Sequence, residues 1–225
     1  MIKIGGFVPF TTIDFPGKMA TVLFCQGCSL KCPYCHNSHL RSFTEMREDL
    51  PWKDLVDFLV KRRKMVDAVV FSGGEPLFQP DLLSAITELK DLSFAVAVHT
   101  SGADFSMLDR IYGYLDFIAM DFKLPYLEYD IVFNRKEQIL SSLRLVATGN
   151  VPYEVRTTLD PALLSPDKVI AMAEFLHENG VRHYAVQECR STDKYKVESA
   201  KASIFTDSKF MNALRDIFPK VVFRR

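Results

Sequence analysis

Little in the chain points to secretion, membrane insertion or nucleic-acid binding. Lys plus Arg and Asp plus Glu both total 28 in 225 residues, so the chain lacks the broad basic excess that nucleic acid or an anionic membrane would attract. No apolar run approaches the roughly 20 residues of a membrane span. Met1 to Gly17 lacks a charged stretch followed by an apolar signal core. The expected compartment is the cytoplasm, with neither nucleic acid nor membrane among the partners. Five cysteines are too few for a disulfide scaffold, and their odd number leaves one unpaired. No internal repeat, low-complexity tract or Pro/Gly/Ser-rich linker divides the chain. With 48% hydrophobic residues it can close one core, and residues 1–225 are expected to form a single domain.

What is present is an alternation. Short apolar runs rich in Val, Ile, Phe and Tyr recur at Met19 to Phe24, Ala68 to Phe71, Phe94 to Val98, Phe117 to Met120, Tyr153 to Thr157 and His183 to Val186. Helical spacing fills the intervals at Trp52 to Met65, Pro80 to Leu89, Met107 to Tyr114, Glu137 to Ala147 and Asp167 to Glu178. A final helix is expected near Asp207 to Phe218 and an edge strand at Val221 to Phe223. A helix that carries the chain back before each strand implies a parallel sheet with right-handed crossovers. A closed eight-unit barrel takes about 250 residues, so the expectation is an α/β fold, a partial (β/α)6 barrel of the TIM type with outer helices. The segment before the first core strand holds Gly5, Gly6, Pro9, Pro16 and Gly17 and reads as an irregular or hairpin lid over residues 1–17, covering the bottom or side.

Four of the five cysteines, Cys25, Cys28, Cys32 and Cys35, fall directly after the first core strand. There the chain emerges at the C-terminal rim, where barrel enzymes place their sites. Spacing alone leaves two readings open, a structural zinc knot in a noncatalytic module and an iron–sulfur cluster, since both take thiolates from a tight loop. Within the loop, Cys28, Cys32 and Cys35 form a C-x-x-x-C-x-x-C set. Three thiolates on a four-iron cluster would leave one iron open, as metal catalysis requires.

At these residues the sequence resembles the radical S-adenosylmethionine superfamily, over most of the chain from about Asp14 to at least Arg156. The run Cys-Gln-Gly-Cys-x-x-x-Cys-Pro-Tyr-Cys-His-Asn looks like that of the activating proteins of anaerobic ribonucleoside-triphosphate reductase, a group of glycyl-radical enzyme activases in which an additional cysteine precedes the triad. The resemblance implies one 4Fe–4S cluster on Cys28, Cys32 and Cys35, with Cys25 outside it, and S-adenosylmethionine on the open iron. It implies contacts to that cofactor from Tyr34 and from Gly73, Gly74 and Glu75, the last three in a Ser-Gly-Gly-Glu-Pro string that would by itself read as a turn. It also implies cofactor or peptide-substrate contacts from Thr100, Ser101, Asp121, Lys123 and Arg156. The chain has Thr-Ser-Gly where Thr-Asn-Gly is often seen. No catalytic residue beyond cluster and cofactor is implied. The implied partners are a large glycyl-radical enzyme, here anaerobic ribonucleotide reductase, and a flavodoxin or ferredoxin as reductant. A compact relative acting on a small molecule such as a deazapurine precursor is the alternative within the same chemistry.

Other features receive structural readings. His36 and Asn37 read as a capping or hydrogen-bonding pair. Lys61-Arg62-Arg63-Lys64 closes the first long helix, where cations complement the helix dipole. Gln187 and Glu188 close the sixth strand within reach of the same mouth, but neither spacing nor chemistry distinguishes them from ordinary rim residues and both stay unassigned; the isolated Cys189 reads as a packed thiol. With three cysteines assigned, the remaining two are too few for a second four-thiolate cluster.

Overall fold

The computed structural model describes residues 1–44, 50–192, 195–197 and 207–225. Eight strands pair in chain order into one open sheet: β1 (Ile4–Thr11), β2 (Ala20–Cys25), β3 (Ala68–Gly73), β4 (Ala95–Thr100), β5 (Phe117–Asp121), β6 (Tyr153–Leu159), β7 (Tyr184–Glu188) and β8 (Val222–Arg224). From β2 to β8 every neighbouring pair is parallel. The crossovers carry α1 (Trp52–Lys61), α2 (Leu82–Asp91), α3 (Phe105–Tyr112), α4 (Tyr129–Val132), α5 (Lys136–Thr148), α6 (Pro166–Glu178) and α7 (Ser208–Ile217). This is the partial, unclosed α/β barrel expected from the alternation. Among the described residues no helix is long and apolar enough to cross a membrane.

The helices stand where their apolar spacing puts them. In α1 the buried Trp52, Leu55 and Leu59 recur at intervals of three and four and so share one face. The helix is shorter than its pattern suggested because Arg62 caps it. Lys61 closes its last turn and the rest of the basic run belongs to a turn, with Arg62 over the Phe58 ring at 5.1 Å and Arg63 over Phe94 at 4.9 Å. Ser165 starts α6, accepting a bond from Lys168 N–H, and Asp207 caps α7 through Lys209 and Phe210.

The N-terminal segment is more regular than its glycines and prolines suggested. Residues 4–11 form β1, which runs antiparallel to β2 and extends the sheet at its edge. Pro9 is tolerated there because an edge strand has ladder positions that need no donor. The lid-like part is the connection from Thr11 to Lys18, which turns inward. Thr11 Oγ1 donates to Asp14 Oδ2 at 2.6 Å, and Phe15, 5% exposed, enters the concave face of the sheet.

Alternation along the strands separates two cores. Outward positions such as Leu23, Phe71, Val98, Ile118, Val155 and Val186 join the large cluster under the helices. Inward positions Ala20, Val22, Ala68, Val70, Ala97, Phe117 and Ala119 form a second cluster with Phe15. The small alanines leave the space that Phe15 fills, its ring 5.6 Å from Phe117. One step further toward the C-terminal ends, the same inward rows become polar.

Candidate active site

A cleft of about 450 Å³ opens over the C-terminal ends of the strands. All twelve residues expected at the site line it: Cys28, Cys32, Cys35, Tyr34, Gly73, Gly74, Glu75, Thr100, Ser101, Asp121, Lys123 and Arg156.

The cysteine loop is held by backbone bonds on both sides. Gly27 and Cys28 N–H donate to the carbonyls of Leu40 and Arg41 at 2.7 and 3.0 Å, while Gly74 and Glu75 N–H reach back to the carbonyls of Cys25 and Gly27 at 2.8 and 2.9 Å. This contact accounts for the paired glycines. Gly73 has φ +103°, and a Cβ there would lie 2.6 Å from Cys25 N; a Cβ at Gly74 would strike the Gly27 carbonyl. The end of β3 can therefore lie against the loop only without side chains.

The loop presents three thiols to the cleft and turns one away. Cys25, the last residue of β2, is fully buried in the outer core with Leu23. Cys28, Cys32 and Cys35 are partly exposed on the cleft wall. Burial, and after it the carboxylate of Glu75, pushes the Cys28 thiol up to about 12. Burial also raises Cys32, against the opposing pull of Lys123. Such thiols stay protonated until a cationic group takes the place of the proton. Three thiols on one wall, with the fourth packed elsewhere, fit a cluster that needs three protein ligands and keeps one position open. A four-thiol zinc knot would need Cys25 as well.

Glu75 is the bracket between β3 and β4. It is 2% exposed, and its carboxylate accepts four bonds: Leu77 N–H at 3.2 Å and Thr100 Oγ1 at 2.5 Å on one oxygen, Ser101 N–H at 2.8 Å and Ser101 Oγ on the other. Burial raises its pKa, and the hydrogen bonds from Ser101 and Thr100 oppose that rise. The hydroxyls of Thr100 and Ser101 are thus committed to Glu75. Serine serves here because a short hydroxyl reaches the carboxylate that its own N–H already binds.

Lys123, Asp121 and Arg156 form a charged row at the end of β5, where Asp121 stands beside Arg156 of β6. Asp121 Oδ2 accepts from Lys123 Nζ at 3.0 Å, and its Oδ1 accepts from Arg156 Nε at 2.9 Å. Burial alone would raise Asp121, but Arg156 and Lys123 hold its carboxyl far below the usual range. Burial would lower Lys123, yet Asp121 keeps it charged, well above its ordinary value. Two cations sharing one anion leave a net positive charge facing the cleft. Tyr129 fixes the row from behind, its hydroxyl accepting Lys123 N–H at 2.5 Å.

Tyr34, 7% exposed, stands on the cleft wall between Cys32 and Cys35. Asn37 lines the cleft and makes no side-chain cap bond to the turn it precedes; its amide donates to the Gly73 carbonyl at 3.4 Å. His36 lines the mouth nearby.

Several lining residues were not expected. Ser72, His99 and Thr158 occupy the polar tops of the inward rows, and strict alternation from Val70, Ala97 and Arg156 was the signal that could have found them. His99 forms the floor, its Nε2–H donating to the carbonyl of Asp14 at 2.8 Å. Burial, and then Arg156, lowers its pKa to about 4. Gln187 and Glu188 also line the cleft, as do Arg190, Arg224 and Arg225. Arg224 and Arg225 had no sequence signal, since they reach the mouth only because β8 pairs with β7, whereas Arg190 follows the end of β7 itself. Cys189 is 4% exposed, and its N–H donates to the Leu159 carbonyl at 3.1 Å.

An open parallel barrel with a three-thiol loop after its first parallel strand defines a class of metallo-cluster proteins, and comparison with known proteins identifies the group. The model of the Radical SAM superfamily matches residues 22–161. The chain is 31% identical over 211 residues to MJ1227 of Methanocaldococcus jannaschii, assigned by its name to the glycyl-radical enzyme activating enzymes, covering 88% of this chain and 84% of that one. It is 30% identical to a pyruvate formate-lyase-activating enzyme of Staphylococcus aureus, over 74% of this chain and 72% of that enzyme. In fold it is similar to Streptococcus suis SuiB, a structure bound to S-adenosylmethionine, with a TM-score of 0.67 at 17% identity over 89% of this chain. The chain spans about half of SuiB, 48% of its length. The chain belongs to the radical S-adenosylmethionine superfamily, in the group of glycyl-radical enzyme activating enzymes.

Proposed function

We propose that this protein cleaves S-adenosylmethionine reductively and uses the resulting radical to install a glycyl radical on anaerobic ribonucleoside-triphosphate reductase. The observation that carries the chemistry is the sorting of four clustered cysteines into three that face the cleft and one that is packed away. When bound, a reduced 4Fe–4S cluster and S-adenosylmethionine supply one-electron cleavage to methionine and a 5′-deoxyadenosyl radical. Cys28, Cys32 and Cys35 would hold the cluster.

The remaining residues bind, orient and exclude water. Gly73 and Gly74 keep backbone beside the thiol loop, where no side chain blocks a ligand's approach. Glu75 fixes Thr100 and Ser101. Lys123 and Arg156, still net positive after sharing Asp121, suit a ligand carboxylate. Tyr34 adds an aromatic wall. The open sheet, ending on the three-residue β8, offers a side entrance for a polypeptide loop bearing the acceptor glycine. The choice of reductase as acceptor rests on the Cys-Gln-Gly-Cys run; the relatives named above include an activase of pyruvate formate-lyase. The cytoplasm suits an enzyme whose cluster and reductant are oxygen-sensitive.

The test is made without oxygen on protein reconstituted with iron and sulfide and reduced with dithionite. Wild type is expected to form deoxyadenosine and Cys32→Ala to form none. Addition of purified anaerobic ribonucleotide reductase should then produce a glycine-centred radical signal in electron paramagnetic resonance. A signal only with pyruvate formate-lyase would reassign the acceptor. No deoxyadenosine from a fully loaded, reduced wild-type cluster would overturn the chemistry.

A further inference from the structure

The cleft wall built by β6 and β7 carries a hydrogen-bonding pair to which no role has yet been given. Thr158 and Gln187 stand side by side in the parallel register, two positions beyond the Arg156–Ala185 pair, and so share its inward parity. Both line the cleft and both are half-buried. Gln187 Nε2 donates to Thr158 Oγ1 at 2.7 Å, which steadies each side chain against the other. That bond takes one N–H of the amide and one lone pair of the hydroxyl oxygen. Gln187 Oε1 and the Thr158 hydroxyl proton have no partner among the described residues. An acceptor and a donor, tied together on neighbouring strands, thus border the space of the cleft.

The surroundings narrow what such a pair can hold. Arg224, beside Gln187 on β8, gives two bonds to Glu154, so the nearest cation in the register is already neutralised. Among the described residues, those of β6 to β8 that line the cleft include no aromatic ring, and a planar heterocycle has nothing to stack on along this wall. Extended main chain does fit. In an extended polypeptide the N–H and C=O of one residue point to the same side, as they do where two antiparallel strands exchange both bonds. The N–H can donate to Gln187 Oε1 while the C=O accepts the Thr158 hydroxyl. The wall also ends on β8, the short strand at the open edge of the sheet, where an extended segment has a way in.

We infer that Thr158 and Gln187 read the acceptor as polypeptide, gripping the N–H and C=O of one extended residue and so fixing the Cα between them. The inference rests on the proposed function, in which that acceptor is a glycine of a partner enzyme. Recognition through main-chain groups suits such a target, because glycine offers no side chain to recognise.

The experiment has two arms. In the first, the glycine-centred radical formed on anaerobic ribonucleotide reductase is measured against reductase concentration and, separately, against S-adenosylmethionine concentration. Thr158→Val and Gln187→Met should each raise the half-saturating reductase concentration about tenfold, as loss of one hydrogen bond with its partner left unpaired does. The half-saturating cofactor concentration should move by less than about twofold, and Thr158→Ser, which keeps the hydroxyl, should stay within about twofold of wild type on both axes. Equal rises for cofactor and reductase would make the pair a general support of the cleft and overturn the inference, as would failure of Thr158→Ser to rescue. In the second arm, protein without cluster is titrated onto immobilised reductase, and binding should weaken about tenfold in Thr158→Val and Gln187→Met. Pyruvate formate-lyase replaces the reductase in both arms if the radical forms only there. Deoxyadenosine made with transfer to neither polypeptide would overturn the inference and leave the cleavage chemistry standing. If wild type makes no deoxyadenosine, the functional reading fails, and the binding arm decides the inference alone: no binding by wild type, or unchanged binding in both variants, overturns it.

Discussion

The lower and upper halves of the concave sheet face are built on the same inward-pointing rows and have opposite fates. Below, Ala20, Ala68, Ala97 and Ala119 are so small that the protein supplies its own filling, Phe15 from the β1–β2 connection. Above, on the same strands, Ser72, His99 and Asp121 border space that no side chain fills. Sheet geometry treats both halves alike; only the side-chain volume and polarity differ. A barrel that is plugged at one end and open at the other directs a ligand to the end where the thiols emerge. His99 and Asp14 mark the boundary, since the hydrogen bond between them joins the plug to the cleft floor.

The comparison is broken most directly by Phe15→Ala. Removing a buried aromatic ring among alanines that cannot close the gap should cost about 3–5 kcal/mol, read as a fall in the denaturant midpoint. Deoxyadenosine formed per folded molecule should stay near wild type. A matching loss of turnover would show that the plug shapes the cleft as well as the core.

Glu75→Ala tests whether the upper half is purely for ligands. It leaves the Ser101 N–H and the hydroxyls of Thr100 and Ser101 buried without their acceptor, a penalty of about 3 kcal/mol for donors of this kind. The loss should appear in protein without cluster or cofactor. A denaturation midpoint unchanged in that state would mean that Glu75 serves the ligand alone.

His99 makes the boundary pH-sensitive. Its folded pKa is depressed to about 4 by burial and Arg156, so between that value and the ordinary 6.5 the unfolded chain binds a proton that the folded chain refuses. Stability should therefore be flat above pH 6.5 and fall as the pH drops toward 4, by up to about 3 kcal/mol from this residue. In His99→Asn, whose amide can still donate to the Asp14 carbonyl, the fall over this window should be shallower. Identical pH profiles of the denaturation midpoint would remove His99 from the account.

The parallel barrel was legible because six apolar runs alternate with helical spacing, and each run became a strand within one or two residues. The thiol loop was legible for a different reason: its spacing is local, so eleven residues contain it. β1 was harder to read, because Gly5, Gly6 and Pro9 weaken a strand signal that pairing with β2 overrides. The polar tops of the rows were half legible. Asp121 and Arg156 stood out by charge, whereas His99 needed the inward parity of Ala97, which only a known sheet orientation supplies. Of the capping and hydrogen-bonding readings of Asn37 the second holds, but its partner, Gly73, is 36 residues away, a contact that local sequence does not encode. The final helix and edge strand followed from their own patterns, but the placing of Arg224 and Arg225 at the mouth depends on which strand β8 pairs with.

The smallest effect sharpens the comparison at the sheet's open edge. Arg224 on β8 reaches across β7 to Glu154 on β6 with two bonds, at 2.6 and 2.8 Å. The register places Val222 beside Ala185 and Arg224 beside Gln187, so a small inward residue again leaves room, here for an ion pair instead of a ring. With side chains 42% and 17% exposed, the pair is screened by water, and a double-mutant cycle of Arg224→Met and Glu154→Gln should yield a coupling of about 0.5–1 kcal/mol that shrinks in high salt. A coupling well above that range would mean that side chains fasten β8 as firmly as its ladder does. A coupling near zero would leave the backbone bonds to β7 and the packing of α7 against α6 to hold the edge. The side entrance would then be bounded by a strand with little to keep it from shifting when a polypeptide enters.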